Sequence, residues 1–204
     1  MAGRQSAEDR KAQIVAEMLR LADEIGPDRL STTDIARAIG LSQPAIFRHF
    51  PTKGDLWRAV ANDIADRLQA DWAAAEAGAR GPQARLRALI GAQLTAISGT
   101  PALPSILFSR ELQVDNQGLR DVIRGLLSAF QGRLVAAIRD SQTTGQLRRD
   151  VSPEDVAILL TSLVQGVAIR WTLGARSGSL VQEGLRLFEV QMALVRAPQD
   201  MPHD

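Results

Sequence analysis

The side chains best suited to recognition chemistry lie close together in residues 31–53, which read STTDIARAIGLSQPAIFRHFPTK. Gln43 can form two hydrogen bonds with the edge of an adenine, and Arg48 can reach a guanine or a phosphate. Pro44 and Ala45 present small apolar surfaces of the kind that meet a thymine methyl group. These residue types in one short stretch predict contacts with the major groove of a DNA duplex.

Two short helices joined by a tight turn must position these side chains. The first begins at Ser31 or Thr32 and ends at Gly40, and the second runs over 43–50. A steep crossing needs a small residue on the first helix, which Ala36 supplies. The turn needs a residue that tolerates a positive φ, which Gly40 supplies. The spacing therefore predicts a helix-turn-helix.

The inward positions of the second of these helices fix its outward face. With Ile46 and Phe50 packed inward, the outward residues are Gln43, Pro44, Phe47 and Arg48, with Ala45 near the tip. Thr32 and Thr33 offer hydroxyl and backbone N–H groups to a phosphate. Lys53 stands at the start of the next helix, where its charge and the helix dipole both attract a phosphate, although a solvated lysine is the plainer alternative.

Composition argues against catalysis and metal binding. The chain has no cysteine, which excludes disulfides, thiolate nucleophiles and cysteine zinc sites. Its two histidines, His49 and His203, are too few for a typical histidine metal site. We therefore expect no catalytic residue, no metal and no cofactor. An all-helical enzyme or carrier is the least favoured alternative.

Net charge gives no support for binding to nucleic acid. Residues 1–55 contain eight Lys or Arg and eight Asp or Glu, so their net charge is zero and only the positions of the charges can decide. The N-terminus shows no apolar signal segment, and no uninterrupted apolar run approaches the ~20 residues of a membrane span. We expect a cytoplasmic protein with no membrane partner.

Apolar residues recur at spacings of three and four throughout, which predicts an all-α fold. Helices are expected after Ser6 to Ile25, from Ser31 or Thr32 to Ile39, and at 43–50, 52–77, 83–98, 103–114, 118–143, 153–174 and 180–196. The sequence GARGP at 78–82 predicts a boundary. We expect a DNA-binding domain over 1–55, extended by the helix 52–77, and a C-terminal helical domain over 78–204.

The segment Gly40 to Phe50, GLSQPAIFRHF, together with Lys53, resembles the DNA-binding domain of the TetR family of regulators. The resemblance covers about residues 8–70. It implies phosphate contacts by Thr32, Thr33, Ser42, Phe47, His49 and Lys53, and base-facing positions for Gln43, Pro44, Ala45 and Arg48. The family usually has tyrosine where this chain has Phe47, so a hydroxyl contact to phosphate is lost. His49 can equally cap or pack at the end of its helix.

The resemblance also implies a homodimer whose C-terminal domain binds a small effector and forms the dimer interface through its last two long helices. We expect that interface on 153–174 and 180–196, as a four-helix bundle. Its predicted residues are Leu163, Gly166, Val167, Leu185, Phe188, Met192 and Val195. Aromatic and polar side chains are mixed at the predicted effector site, which comprises Phe108, Arg110, Gln113, Phe130 and Trp171.

Together these features predict a sequence-specific transcriptional regulator, a repressor released from a pseudo-palindromic operator by a small-molecule effector. Its two recognition helices would lie ~34 Å apart, one turn of DNA. Effector binding would stabilise a conformation in which the two recognition helices no longer have the spacing of one turn of DNA. The alternative is a regulator of the same fold that has no small-molecule effector and is controlled by its abundance or by a partner protein.

Overall fold

The computed structural model describes residues 6–198, and within that range the regular structure is helical. The helices are α1 (Ala7–Ile25), α2 (Thr32–Ala38), α3 (Gln43–His49), α4 (Lys53–Gly78), α5 (Pro82–Gly99), α6 (Ala102–Phe108), α7 (Arg110–Asp115), α8 (Gln117–Thr143), α9 (Pro153–Leu173) and α10 (Leu180–Leu194). One isolated antiparallel bridge joins Leu147 and Arg196. The predicted all-α fold is confirmed. His203 lies outside the described residues.

Side-chain caps set the starts of the N-terminal helices. Ser6 accepts a hydrogen bond from the Asp9 backbone N–H at 3.0 Å, and the Asp9 carboxylate accepts one from the Ser6 backbone N–H at 3.2 Å. Ser31 and Asp34 form the same reciprocal pair before α2. Each pair satisfies backbone donors that a helix start leaves without partners.

The predicted helix over 103–114 is wrong, because the structure divides it into α6 and α7 at Ser109. Ser109 has extended backbone angles, φ −69° and ψ 106°. Its hydroxyl oxygen accepts a hydrogen bond from the Leu112 backbone N–H at 2.9 Å, which caps α7, and its O–H donates to Asp28. The break therefore depends on a partner in the loop after α1.

The chain folds into two compact units. The first consists of residues up to Arg67 together with Thr100–Leu126, and the second of Leu68–Gly99 together with the chain from Leu127 onward. In the first unit, α1 packs against α2, α3 and α6. The fully buried side chains of its core include Ile14, Met18, Ile46, Leu56 and Trp57. Residues 100–126 thus belong to the same compact unit as the helix-turn-helix.

In the second unit, α10 packs against α5 and α9. The contact with α5 is so close at Gly184 that a Cβ atom there would lie 2.5 Å from Cδ1 of Leu94. Leu94 is itself fully buried, so its side chain has little room to move. A glycine at this position of α10 is therefore required by packing.

The faces of α9 and α10 correct the predicted dimer interface. Four of its residues are buried inside the protomer itself: Val167, Phe188, Met192 and Val195. Leu163 and Leu185 are half-buried, and Gly166 is exposed. The periodicity of these helices identified a core stripe, and the structure shows that this stripe is covered by α5 and by the other helix of the pair.

A second apolar stripe of α9 and α10 points outward. Its residues and their exposed fractions are Ile158 (52%), Leu159 (50%), Ile169 (38%), Leu173 (82%), Val190 (52%) and Leu194 (68%). Among the described helices, α9 is the one that is long and apolar enough to cross a membrane by length and composition alone. The apolar residues of α9 lie on two faces of the helix. One face packs in the core of the second unit, and the other is exposed.

Candidate nucleic-acid interface

The turn between α2 and α3 has the predicted geometry. Gly40 has a φ of +67°, in the left-handed region where glycine has no Cβ penalty. The backbone N–H of Leu41 then bonds to the carbonyl oxygen of Ala36 at 2.8 Å, which closes the end of α2. Ala36 is 3% exposed where the two helices meet. The predicted helix-turn-helix is present.

Helix α3 presents a polar and aromatic face to solvent. Ser42, Gln43, Pro44 and Arg48 are exposed, and Phe47 is 37% exposed. The outward position predicted for Phe47 is therefore present in the structure. Ala45 is different: it is 7% exposed and lies beside the fully buried Ile46. Its predicted outward position is wrong, because a one-carbon side chain next to Ile46 stays within the packed face of the helix.

Thr32 and Gln43 contact each other. Thr32 is 7% exposed, and its Oγ1 accepts a hydrogen bond from Nε2 of Gln43 at 2.8 Å. The predicted offer of the Thr32 hydroxyl to a phosphate does not fit this burial. Thr33, the next residue of α2, is exposed and has the position expected for a phosphate contact.

The remaining predicted DNA-contacting residues lie at helix ends. Ser42 is the N-cap of α3, and its side chain makes no capping hydrogen bond, in contrast to Ser31 at the start of α2. His49 is the half-buried last residue of α3. Lys53 is the exposed first residue of α4. Helix α4 begins with a further reciprocal cap, in which Thr52 and Asp55 bond to each other's backbone N–H groups.

Acidic side chains of the first unit are largely engaged in caps and ion pairs. Asp34 bonds to Ser31, which is the main reason that the pKa of its carboxyl lies below the ordinary 3.8. Asp55 pairs with Arg58 at 2.8 Å, and Glu17 and Glu24 both pair with Arg20. Arg48 and Lys53 have no ion pair within residues 6–198. Lys53 nevertheless lines a pocket together with Asp28, Glu111 and Asp115, so nearby carboxylates offset part of its charge.

The predicted effector residues are divided between the two compact units. Phe108, Arg110 and Gln113 belong to the first unit, where Phe108 is 46% exposed and Gln113 bonds to the Leu107 carbonyl oxygen. In the second unit, Phe130 is 3% exposed and its ring stacks on Trp72 with centroids 4.9 Å apart. Trp171 lines a cavity to which Phe130 does not contribute.

That cavity lies where α9 ends and α10 begins and has a volume of about 540 Å³. Apolar surface comes from Val167, Trp171 and Leu180, and charged groups come from Arg170 and from the ion pair of Arg186 with Glu183 at 2.9 Å. The indole Nε1 of Trp171 donates to the Gly178 carbonyl oxygen at 3.3 Å. The sequence predicted Trp171, but not Arg170 and Arg186, as part of such a cavity, because the proximity of the two arginines depends on the turn between the helices.

A helix-turn-helix whose second helix has an exposed face carrying Gln43 and Arg48 defines a DNA-binding transcriptional regulator. Family models agree with this class. Residues 14–60 match "Bacterial regulatory proteins, tetR family" and residues 82–186 match "BetI-type transcriptional repressor, C-terminal". The chain belongs to the TetR family of transcriptional regulators.

Curated relatives include nucleoid occlusion factors named SlmA. That of Vibrio vulnificus (strain YJ016) is 26% identical over 168 residues, which cover 81% of this chain and 85% of the relative. That of Vibrio cholerae serotype O1 is 28% identical over 153 residues, covering 74% and 75%.

Solved structures show the same fold over almost the whole chain. A transcriptional regulator from Saccharomonospora viridis in complex with choline has a TM-score of 0.81 and 20% identity, covering 94% of this chain and all of that one. The ketosteroid regulator KstR2 of Mycobacterium tuberculosis has a TM-score of 0.77 and 16% identity, covering 95% and 98%. At these identities the likeness shows the fold alone.

Proposed function

We propose that this regulator is a homodimeric, cytoplasmic repressor that reads a pseudo-palindromic operator through α3. The observation that carries the proposal is the outward face of α3, on which Gln43, Pro44, Phe47 and Arg48 are all solvent-exposed. A glutamine amide and a guanidinium can form paired hydrogen bonds with base edges, and the ring of Phe47 can pack against the sugar-phosphate backbone. Thr33, Ser42, His49 and Lys53 then flank this face as phosphate contacts.

The distribution of charge supports the same orientation toward DNA. Phosphate contacts supply much of the affinity of DNA-binding proteins, and they require cations that are not already neutralised by the protein. Arg48 and Lys53 make no ion pair within residues 6–198, whereas Lys11, in the same unit, pairs with Glu8 at 3.0 Å. The side of the first unit that carries α3 is therefore the side we expect to face the duplex.

A homodimer explains the outward apolar stripe of α9 and α10. TetR-family regulators form dimers. Contiguous exposed apolar side chains on a protein surface mark interaction sites. Gly166 lies on the same side of α9 as Ile158, Ile169 and Leu173, since these positions recur at helical spacing, and a glycine there permits close approach of a second helix. We propose that this stripe, with Gly166, packs against its copy in the partner subunit.

We propose that the cavity beside Trp171 receives the small-molecule effector. Its volume of about 540 Å³ lies within the range usual for ligand sites. The residues that line it come from α9, α10 and the turn between them, so a bound ligand would act first on the helix pair that we propose for the dimer interface. The effect of an effector is limited to its difference in affinity between the two states.

The Vibrio relatives support a second candidate function. They are named nucleoid occlusion factors, so we infer as the second candidate a function in nucleoid occlusion, which is compatible with a regulator that has no small-molecule effector. The reading of DNA by α3 would be the same in both candidates. The two candidates would differ only in how the protein is released from DNA. A screen for small molecules that release the protein from bound DNA distinguishes the two candidates. Turnover of a bound small molecule would contradict both and favour the enzyme alternative.

The test is selection of bound duplexes from a random pool, followed by affinity measurements over a range of salt concentrations. We expect enrichment of a palindrome with half-sites one helical turn apart. Arg48→Ala should then weaken binding to the selected duplex, whereas Arg29→Ala, which removes the same charge from the exposed loop after α1, should have a smaller effect. Failure of the wild-type protein to enrich any sequence would contradict the proposed function.

A further inference from the structure

We propose that Thr32 is a positioning residue for base recognition: its hydroxyl holds the Gln43 side chain in the orientation that reads one base pair. This inference rests on the proposed function, because it requires Gln43 to meet a base. It also gives Thr32 a role other than the phosphate contact expected from the sequence.

The hydrogen bond joins a buried anchor to an exposed recognition side chain. Thr32 is the first residue of α2 and is 7% exposed, whereas Gln43 is the exposed first residue of α3. Their 2.8 Å contact crosses the turn between the two helices, eleven residues apart in sequence. Because α2 packs against α1 and α3, the hydroxyl of Thr32 is held in place by the core of the first unit.

The chemistry of the amide makes this contact compatible with base recognition. A glutamine amide has one acceptor oxygen and two N–H donors. Thr32 uses one N–H, which leaves Oε1 and the second N–H of Gln43. An adenine edge presents one donor and one acceptor in the major groove, and it is matched by that remaining pair. The bond also orders the flexible Gln43 side chain before DNA arrives, so less side-chain entropy is lost on binding.

Thr33 provides a matched comparison on the same helix. It is also a threonine in the first turn of α2, but it is exposed, and no hydrogen bond joins its hydroxyl to the described part of α3. If Thr33 contacts a phosphate, its hydroxyl contributes equally to every DNA sequence. If Thr32 positions Gln43, its hydroxyl contributes mainly where Gln43 meets its base pair.

The experiment compares Thr32→Val, Thr32→Ser and Thr33→Val on two duplexes. The first is the duplex selected by the wild-type protein. The second differs from it at one base pair, namely the base pair that the wild-type protein distinguishes and the Gln43→Ala protein does not. We expect Thr32→Val to reduce discrimination between them about three- to ten-fold, with an unchanged salt dependence. Thr32→Ser keeps the hydroxyl and should keep the discrimination, and Thr33→Val should weaken binding to both duplexes alike.

A double-mutant cycle isolates the coupling of the two residues. Thr32→Val should cause no further loss of discrimination when Gln43→Ala is already present. Equal weakening on both duplexes would make Thr32 a phosphate ligand and overturn the inference, as would unchanged discrimination. If the Thr32→Val protein does not unfold cooperatively on heating, Thr32→Ala replaces it in these measurements.

Side-chain amide NMR signals test the hydrogen bond without DNA. The two Gln43 Nε2 protons should shift in Thr32→Val and remain in place in Thr33→Val, and unchanged signals in both variants would overturn the inference. If the wild-type protein selects no duplex, the proposed function fails while this measurement still decides the contact. If a duplex is selected but discrimination does not depend on Thr32, the inference alone fails.

Discussion

The helix pairs α2–α3 and α9–α10 each bury one face, but their outward faces have opposite character. The first pair consists of two helices of 7 residues, and the outward face of α3 carries amide, guanidinium and aromatic groups. The second pair has helices of 21 and 15 residues, whose outward faces carry leucine, isoleucine and valine. A polar outward face suits a hydrated, charged partner, and an apolar one suits a second protein surface.

The largest expected effect comes from placing a charge on the outward stripe of α9. Leu159→Glu should convert the dimer to a monomer, because a carboxylate would have to lose its hydration in an apolar interface. Affinity for the full palindrome should fall about 10²- to 10⁴-fold, since the two half-sites are no longer bound by one linked molecule. Sedimentation and DNA titration measure both effects.

Leu127→Glu on α8 is the control for this prediction. Leu127 is 37% exposed, against 50% for Leu159, but it lies on a different helix. The control protein should remain dimeric and keep its DNA affinity. A Leu159→Glu protein that still sediments as a dimer would show that the outward stripe of α9 is not the interface.

A pair of glycine substitutions separates the two faces of α9 and α10. Gly184→Ala should lower the free energy of unfolding by about 1–3 kcal/mol, because the added methyl would lie 2.5 Å from Leu94. Gly166→Ala meets no atom within 4 Å in the protomer, so better helix propensity should raise the stability of the protomer by up to about 1 kcal/mol. The methyl group added in Gly166→Ala should also weaken the dimer.

Urea unfolding at several protein concentrations measures both protomer stability and dimer stability. A Gly184→Ala protein as stable as the Gly166→Ala protein would contradict the packing described for α5 and α10.

The contrast between the pairs also explains what could be predicted from the sequence. Helices α2 and α3 have one apolar stripe each, together with local signals at Ser31, Gly40 and Ser42, so periodicity and capping were sufficient to predict their bounds and the outward position of most recognition residues. Helix α9 has apolar residues on two faces, and periodicity cannot tell which stripe packs inside the protomer. The core stripe containing Val167 was therefore predicted as the interface.

Long-range contacts account for the other differences. Ser109 ends α6 through a hydrogen bond to Asp28, 81 residues away, and no local pattern indicates such a partner. The Thr32–Gln43 contact likewise depends on the crossing of α2 and α3. The lining of the cavity beside Trp171 depends on the turn that brings Arg170 and Arg186 together. These contacts form only when distant segments pack together, so they cannot be predicted from the spacing of residues in the sequence.

A smaller effect tests whether Lys53 belongs to the polar recognition face. Lys53→Ala should weaken binding to every duplex and reduce the slope of log affinity against log salt by about one, because one phosphate contact is lost. Lys11→Ala removes an equal charge from the same unit, but Lys11 is paired with Glu8, so its variant should keep the wild-type slope. An unchanged slope in Lys53→Ala would identify Lys53 as a solvated side chain.

The smallest expected effect concerns the cap of α2 in acid. The Ser31 hydroxyl bonds to the Asp34 carboxylate and lowers its pKa below the ordinary 3.8. The ionised form therefore stabilises the folded state fully above pH 3.8, and this contribution is lost as the pH falls through the lower folded-state pKa. An isolated helix of 7 residues is marginal in water, so loss of a cap should lower the protection factor, the ratio of intrinsic to observed amide exchange rates, at Ile35, whose N–H bonds to the Ser31 carbonyl oxygen. Asp34→Asn should remove most of this pH dependence at Ile35.

Asp150→Asn is the control: it breaks an ion pair with Arg148 in the second unit and should leave the exchange of Ile35 unchanged. If the protection factor of Ile35 in the wild-type protein does not fall below pH 3.8, packing against α1 and α3, rather than the Ser31–Asp34 cap, holds the first turn of α2.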